Sequence, residues 1–122
     1  MEQKIKILYV DDEPINLQLF EINMEDKFNV LLAEDGNEGL EVLDANNDIS
    51  IIISDMKMPG MNGIEFLEKV KEKYPDKKCF ILTGFEITLE IKEALDSSLI
   101  LKYFRKPFNM KEIEGTINST VL

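Results

Sequence analysis

The sequence predicts an α/β fold, a doubly wound sandwich in which one parallel five-stranded sheet carries helices on both faces. Three observations lead to this prediction. Short apolar runs alternate five times with amphipathic segments of helical length. The run at residues 51–53 has no polar alternation, which is typical of a central parallel strand covered on both sides. The chain has 122 residues, 44% of them apolar, which suits a single globular domain.

Five apolar or β-branched runs are predicted to be strands. They lie at residues 5–10, 29–33, 49–54, 79–83 and 101–105. Each is followed by a segment long enough to form a helix and to return the chain to the start of the sheet. Such crossovers are right-handed and join parallel strands, so the five runs are expected to form one parallel sheet.

The first helix is expected to begin at Pro14, because proline fits the first helical position. Its alternating apolar residues also suit a strand, but the length of the segment favours a helix. A helix with apolar side chains on two sides is expected to be heavily buried. The two stripes are Leu17, Phe20 and Met24, and Ile15, Leu19 and Ile22.

Four further helices are predicted from apolar residues at near-helical spacing. The second covers residues 37–45, and the third follows Asn62-Gly63 and ends at Pro75. Gly115 costs the fifth helix about 1 kcal/mol of helix propensity. The defining apolar positions are Leu40 and Leu43 in the second helix, Ile64, Leu67, Val70 and Tyr74 in the third, Ile87, Ile91, Ala94 and Leu95 in the fourth, and Met110, Ile113 and Ile117 in the fifth.

The formal net charge of −10 lies in the first part of the chain. Residues 1–50 hold 13 acidic and 3 basic side chains, whereas residues 51–122 hold 11 of each. A negative field of this size repels phosphate backbones. We therefore expect no direct binding of nucleic acid and no binding to an anionic membrane.

Composition excludes several other kinds of site. The chain has no histidine, which rules out histidine bases and histidine metal ligands. The single Cys79 rules out an internal disulfide and is expected to be a buried core thiol. No apolar stretch approaches the roughly 18 residues of a membrane span, and the first residues do not begin a signal peptide. We therefore expect a cytoplasmic protein.

Acidic side chains follow two of the predicted strands. Because the carboxyl ends of parallel strands meet at one edge of the sheet, these acids are expected to converge with a hydroxyl and an ammonium group. A single acid in such a place is commonly a helix cap. Two carboxylates ~4 Å apart, however, repel each other by about 4 kcal/mol at an effective dielectric constant near 20. The converging residues are Asp11, Asp12 and Glu13, then Asp55, Thr83 and Lys106.

A cluster of this kind favours a bound cation or a retained proton. Oxygen ligands without histidine select a hard cation, and Mg²⁺ is the one we expect. A magnesium ion beside a carboxylate, a lysine and a hydroxyl is suited to phosphoryl transfer onto the carboxylate.

Four short motifs at these strand ends resemble those of the receiver (phosphoacceptor) domain of two-component response regulators. They are residues 9–14 (YVDDEP), 55–63 (DMKMPGMNG), 83–84 (TG) and 103–108 (YFRKPF). The resemblance covers essentially the whole chain. It implies the flavodoxin-like (βα)5 fold with strand order 2-1-3-4-5, and a single receiver domain over residues 1–122 with no effector domain.

The resemblance also implies a role for each residue of the magnesium site. Asp55 is the expected phosphoacceptor. Asp12, Asp55 and the backbone carbonyl of Lys57 are expected to hold Mg²⁺, with Asp11 contributing through a water molecule.

The remaining site residues would contact the phosphoryl group or report its presence. Thr83 and Lys106 are expected to contact phosphoryl oxygens, together with the backbone N–H groups of Met56 and Gly84. Thr83 and Tyr103 are the expected switch pair, because Tyr103 can fill the space that Thr83 leaves. In the family, a cis peptide before the proline that corresponds to Pro107 helps to fix the loop.

The function implied is a phosphorylation-activated switch that takes a phosphoryl group from a sensor histidine kinase or a histidine phosphotransfer protein. The surface formed by the fourth helix, the fifth strand and the fifth helix is then expected to change, and it is also the expected homodimer surface. Phosphotransfer and autodephosphorylation are expected to be self-catalysed. The stretch at residues 96–102 departs from many members of the family, and glycine often occupies the place of Ser98.

Two other classes of protein fit these residues less well. An aspartyl-phosphate hydrolase of the haloacid-dehalogenase type normally has Asp-x-Asp at its nucleophile, but here Lys57 stands where the general acid/base should be. A receiver fold that acts as an unphosphorylated interaction module is disfavoured because all five functional positions carry suitable residues.

Overall fold

The computed structural model describes residues 4–84, 87–107 and 109–121. In this part of the chain, five strands alternate with five helices. The strands are β1 (Lys6–Val10), β2 (Asn29–Ala33), β3 (Ile51–Asp55), β4 (Lys78–Thr83) and β5 (Lys102–Arg105). The helices are α1 (Pro14–Met24), α2 (Gly36–Ala45), α3 (Gly63–Lys73), α4 (Leu89–Asp96) and α5 (Met110–Val121).

The strands form one parallel sheet in the order β2-β1-β3-β4-β5, which confirms the predicted order 2-1-3-4-5 and the flavodoxin-like fold. Alternate residues of each strand point to opposite faces, so the sheet divides the core into two apolar layers. α1 and α5 cover one layer, and α2, α3 and α4 cover the other. All three residues at positions 51–53 are fully buried, as predicted for a central strand.

The expectation that α1 is buried on two sides is wrong. Its stripe of Leu17, Phe20 and Met24 is buried against the sheet. The second stripe lies on the outer side of the helix, because one sheet face can cover only one side of a helix at about 100° per residue. The side chains of this exposed stripe are 69% exposed at Ile15, 44% at Leu19 and 66% at Ile22.

Two predicted starts differ by two residues from those observed, and the other strands and helices start within one residue of the prediction. β3 starts at Ile51 because the N–H of Ile49 donates to the carbonyl of Asn46 in a turn, although Ile49 itself is buried. α4 starts at Leu89, since the hydroxyl of Thr88 accepts from the N–H of Ile91 and caps the helix. None of the helices in the described ranges combines the length and the apolar character that crossing a bilayer requires.

Candidate functional site

Three carboxylates meet at the carboxyl end of the sheet, where β1 and β3 lie side by side. Asp11 and Asp12 follow β1, and Asp55 is the last residue of β3. One oxygen from each lies within 4.8 Å of the others. Asp11 and Asp55 are buried, and Asp12 is half-buried. The convergence predicted from the strand ends is therefore observed for these three acids, whereas Glu13, predicted to join them, is exposed and lies outside the cluster because it follows Asp12 at the start of α1.

Lys106 brings a positive charge into this cluster from the loop after β5. Its Nζ lies 3.1 Å from Asp55 Oδ1 and 3.7 Å from Asp11 Oδ2. The backbone N–H of Lys106 donates to the carbonyl of Thr83 at 2.8 Å, which ties this loop to the end of β4. The Lys106-Pro107 peptide is cis, as the resemblance implied. Phe108, the last residue of that motif, lies outside the described residues.

The carboxylate of Asp11 is held by two donors that belong to its own segment. The backbone N–H of Glu13 donates to Oδ1 at 2.9 Å, and the hydroxyl of Tyr9 donates to Oδ2 at 2.5 Å. Burial, followed by the nearby charge of Asp11, raises the pKa of Tyr9 far above its ordinary value, so the hydroxyl keeps its proton.

Sequence reasoning gave Tyr9 no role. The available signal was its position two residues before Asp11 in a strand, which places both side chains on the same side. A tyrosine in an apolar strand needs a partner for its hydroxyl, and a carboxylate at that spacing can provide one.

The carboxyl group of Asp55 has a pKa raised from 3.8 to about 6. Burial is the largest cause, and the negative charge of Asp11 adds to it, whereas Lys106 lowers the pKa. Asp55 is only 5% exposed. The protein alone therefore stabilises the negative charge of an ionised Asp55 poorly. A bound cation would supply the missing stabilisation.

α3 is fixed closely against the end of β3. The N–H of Gly63 donates to the carbonyl of Met56 at 2.8 Å, and Asn62 and Glu65 form a capping box. A Cβ atom at Gly63 would lie 2.4 Å from the backbone oxygen of Asp55. Glycine is therefore needed where α3 begins, and this contact sets the position of the loop that follows Asp55.

The other predicted metal and phosphoryl contacts lie around this loop. Thr83 is buried at the end of β4, and Lys57 is exposed in the loop after Asp55. The N–H of Met56 donates to the carbonyl of Leu82 at 3.1 Å, so a phosphoryl oxygen would have to share or replace this bond. A Cβ atom at Gly84 would meet Lys106 Cδ at 3.5 Å, an ordinary contact, so an added methyl group fits there.

Tyr103, the predicted switch residue, lies on β5 and is half-buried. It packs against the same apolar layer as Met56 and Ile87. Tyr103 also lines a surface cavity together with Lys102, Arg105 and Glu112.

The donor set fits a magnesium ion. Asp11, Asp12 and Asp55 supply oxygen ligands within reach of one another, and hard cations such as Mg²⁺ prefer oxygen. Burial, followed by the charge of Asp11, raises the pKa of Asp55 in spite of Lys106, so a bound cation would favour the ionised form of this carboxyl group.

Comparison with known proteins identifies the class of protein that this fold defines. The response regulator receiver domain family matches residues 7–118. The chemotaxis protein CheY homolog of Campylobacter jejuni is 34% identical over 96% of this chain and 92% of its own length.

Two further relatives extend the comparison. The chain is 26% identical, over 98% of its length, to the hydrogenase transcriptional regulatory protein HoxA of Cupriavidus necator, but it spans only about a quarter (25%) of that protein. The structure of the response regulator protein TrrA of Thermotoga maritima, in complex with Mg(2+)-BeF, superimposes with a TM-score of 0.80. It is 29% identical, and the match covers 94% of this chain and 97% of that one.

The chain belongs to the response regulator receiver domain family. It is a signalling domain that works as a phosphorylation-dependent switch in two-component signalling.

Proposed function

We propose that Asp55 is the phosphoacceptor of this switch and that it receives the phosphoryl group in a Mg²⁺-dependent reaction. One observation carries the proposal: the carboxylate of Asp55 ends a central strand, lies in a cluster with Asp11 and Asp12, and has Lys106 Nζ at 3.1 Å. A nucleophile, a cation site and a fixed positive charge are thus combined in one pocket, as phosphoryl transfer requires.

The residues that would hold Mg²⁺ are Asp12, Asp55 and the carbonyl of Lys57, with Asp11 contributing through water. The carbonyl of Met56 already accepts from Gly63, so it does not compete with that of Lys57. When bound, the ion would neutralise and orient the phosphoryl oxygens.

Transfer would proceed by attack of an Asp55 oxygen on phosphorus. The new oxygen–phosphorus bond forms as the phosphorus–nitrogen bond to the partner's histidine breaks, and the electron pair leaves with the imidazole. Lys106, the Thr83 hydroxyl and the Gly84 N–H would stabilise the phosphoryl oxygens, with the Met56 N–H joining only if its bond to Leu82 gives way. Hydrolysis of the acyl phosphate in the same pocket would reset the switch.

The switch would act through Thr83 and Tyr103. Phosphorylation adds roughly two negative charges and strong acceptor oxygens next to the Thr83 hydroxyl. Movement of Thr83 toward the phosphoryl group would open space beside Tyr103, whose ring is half-buried above that layer of the core. An inward turn of Tyr103 would then change the surface of α4, β5 and α5.

The partner that delivers the phosphoryl group is proposed to be a histidine kinase or a histidine phosphotransfer protein. The exposed stripe of α1 (Ile15, Leu19 and Ile22) begins directly after the acidic cluster, so a partner whose histidine reaches Asp55 would lie over it. The α4-β5-α5 surface is proposed for a homodimer, although Lys102 there already pairs with Glu112 at 3.3 Å within one chain. A cytoplasmic location stays a prediction.

The test is modification by acetyl phosphate, a donor that needs no partner protein. Wild type is expected to gain one phosphoryl group in the presence of Mg²⁺, and Asp55→Asn is expected to gain none. Asp48→Asn is the matched control, because Asp48 pairs with Lys6 at the start of β1, at the other end of the sheet. Modification of Asp55→Asn at the wild-type rate, or a wild type that is never modified, would contradict the proposal.

A further inference from the structure

A buried hydrogen bond lies directly beneath the acidic cluster. The hydroxyl of Tyr9 donates to Asp11 Oδ2 at 2.5 Å, and both residues are fully buried. A hydrogen bond to a carboxylate is roughly twice as strong as one between neutral groups. Losing the donor would leave a buried carboxylate oxygen without this partner, which is costly in an apolar environment.

The tyrosine ring has little freedom to move. It lies on β1, which pairs with β2 on one side and β3 on the other. The ring stacks on Phe20 of α1, with the centroids 4.3 Å apart and the planes 19° from parallel. The donor is therefore preorganised by the sheet and by α1, independently of anything bound in the pocket.

This donor affects how Lys106 is shared between two carboxylates. Lys106 Nζ lies 3.1 Å from Asp55 Oδ1 but 3.7 Å from Asp11 Oδ2, beyond ordinary hydrogen-bond distance. Asp11 Oδ2 already accepts from Tyr9, and Oδ1 accepts from the N–H of Glu13. Because Asp11 is satisfied by these donors, Lys106 can stay beside Asp55.

We propose that Tyr9 is a positioning residue of the phosphorylation pocket: its hydroxyl fixes the carboxylate of Asp11 and so keeps Lys106 on Asp55. Without the hydroxyl, Asp11 Oδ2 would draw Lys106 deeper between the carboxylates, where the ammonium group competes with a divalent cation. The consequence for Mg²⁺ rests on the proposed function, whereas the consequence for Lys106 does not.

The first experiment measures Mg²⁺ affinity by calorimetry for wild type and Tyr9→Phe. Loss of a hydrogen bond that orients a direct metal ligand typically weakens binding about 10- to 100-fold. Because Asp11 would contribute through water, we expect the lower end of this range, a rise in the Kd for Mg²⁺ of about tenfold. Tyr74→Phe is the matched control, because it also removes a hydroxyl that donates to a carboxylate, that of Asp44, away from the pocket. An unchanged Kd in Tyr9→Phe would overturn the proposal.

A double-mutant cycle tests whether Tyr9 acts through Asp11. In an Asp11→Asn background, Tyr9→Phe is expected to change the Kd much less than it does in wild type, since contacting residues are not additive. An equal effect in both backgrounds would mean that Tyr9 acts in another way, and the proposal would fail.

A measurement on metal-free protein separates this proposal from the proposed function. The ¹⁵Nζ resonance of Lys106 is expected to shift in Tyr9→Phe and not in Tyr74→Phe; no shift would overturn the positioning role. In wild type, the Tyr9 hydroxyl hydrogen is expected as a slowly exchanging proton signal, and its absence would also overturn it. A wild type that shows both signals but binds no Mg²⁺ would instead contradict the proposed function and leave the positioning of Lys106 supported.

Discussion

The carboxyl group of Asp55 faces opposing influences within a few ångströms. Burial and the charge of Asp11 favour its protonated form, while Lys106 at 3.1 Å favours the ionised form. The first two prevail and raise the pKa to about 6. A nucleophilic carboxylate must be ionised to attack phosphorus, so a cation in the pocket would increase the reactive fraction near neutral pH.

The pH dependence of stability is the first prediction. The pKa of Asp55 is higher in the folded protein than its ordinary value of 3.8, so the folded state binds this proton more tightly than the unfolded chain does. The resulting stabilisation is complete below about pH 4 and is lost as the pH rises through 6. Urea unfolding of metal-free protein between pH 4 and pH 7.5 should show this loss, and Asp55→Asn should not.

The Asn variant isolates the effect, because its side chain is neutral at every pH. If wild type and Asp55→Asn kept a constant difference in free energy of unfolding over this range, Asp55 would not titrate with a raised pKa. Carbon-13 NMR of the Asp55 carboxyl group gives the pKa directly, and adding Mg²⁺ should lower it.

At the scale of residues, the positions of the acids could be predicted and their hydrogen bonds could not. Asp11, Asp12 and Asp55 stand where apolar runs stop, and parallel strands bring such positions together. The bond from Tyr9 to Asp11 depends on how far a phenol ring reaches past the end of a strand. The bond from Met56 to Leu82 likewise depends on the register of β3 against β4.

Among the helices, α4 is followed by a strained residue, two positions after its last residue. Ser98 has φ of 65°, in the left-handed region that favours glycine. Its N–H donates to the carbonyl of Leu95 at 3.1 Å, which is one of the bonds that close a helix at a left-handed residue. The place where glycine often occurs in the family is therefore one where the backbone calls for glycine.

The second prediction is that Ser98→Gly stabilises the protein. The left-handed conformation costs a residue with a Cβ roughly 1–2 kcal/mol, and the greater freedom of glycine in the unfolded chain offsets about half of the gain. We expect the free energy of unfolding to rise by about 0.5–1 kcal/mol in urea titrations. Ser97→Gly is the control: Ser97 has φ of −85°, so glycine there should destabilise. Equal effects of both variants would argue against strain at Ser98.

The third prediction compares two glycines in helices. Replacement by alanine is expected to lower the free energy of unfolding at one of them and to raise it at the other. Gly63→Ala would place Cβ 2.4 Å from the oxygen of Asp55, and overpacking of this kind costs about 1–3 kcal/mol. Gly115→Ala in α5 meets nothing within 4 Å and should stabilise by about 1 kcal/mol. Urea unfolding measures both changes, and acetyl phosphate labelling should slow only in Gly63→Ala, because the shift reaches Asp55. Similar stability changes in the two variants would contradict the prediction.

The periodicity of apolar residues predicts that a helix forms, but it predicts less well which sides of that helix are buried. The spacing of Leu17, Phe20 and Met24 correctly predicts a helix, and the Ile15 stripe of the same helix fits the pattern equally well. The pattern does not show how many other elements pack against the helix, and this number decides whether one stripe or both are buried. α1 shares its face of the sheet with α5, and the buried stripe is the one that meets the sheet and the layer of core between them. No core layer packs against the exposed stripe, so its side chains stay in contact with solvent.

Over the whole molecule, the acidic cluster accounts for only part of the net charge of −10. Several of the basic side chains are paired within the chain, including Lys6 with Asp48 at 2.8 Å and Lys73 with Asp44 at 2.7 Å. Glu21 on α1 and Glu25, which follows that helix, add to the negative surface near Lys6 and Asp48, at the end of the sheet away from Asp55. Closer to the pocket, the exposed Glu13 directly precedes α1, so a donor protein that approaches Asp55 meets this acidic side chain beside the apolar stripe of α1. Both features would have to be complemented.

The last prediction concerns that stripe and separates docking from chemistry. Ile15→Ala combined with Ile22→Ala removes most of the apolar surface that α1 exposes beside the pocket, where the two side chains are 69% and 66% exposed. Because both point to solvent, the free energy of unfolding should stay within about 0.5 kcal/mol of wild type. Labelling by acetyl phosphate should also be unchanged, since that donor needs no docking surface. Transfer from a histidine kinase that phosphorylates wild type should fall about tenfold or more, in keeping with the loss of two buried apolar side chains at an interface.

Leu101→Ala is the matched control, because Leu101 is 48% exposed just before β5, on the edge of the sheet away from α1. Its transfer rate from the same kinase should remain that of wild type. A kinase that phosphorylates the double variant as fast as wild type would exclude α1 as the docking face. A parallel loss of acetyl phosphate labelling would show instead that the substitutions disturb the pocket. The stripe is assigned to partner docking only if the α1 double variant, and not Leu101→Ala, loses transfer from the kinase while its labelling by acetyl phosphate is unchanged. The chemistry at Asp55 is common to both donors, so a defect there would slow both reactions.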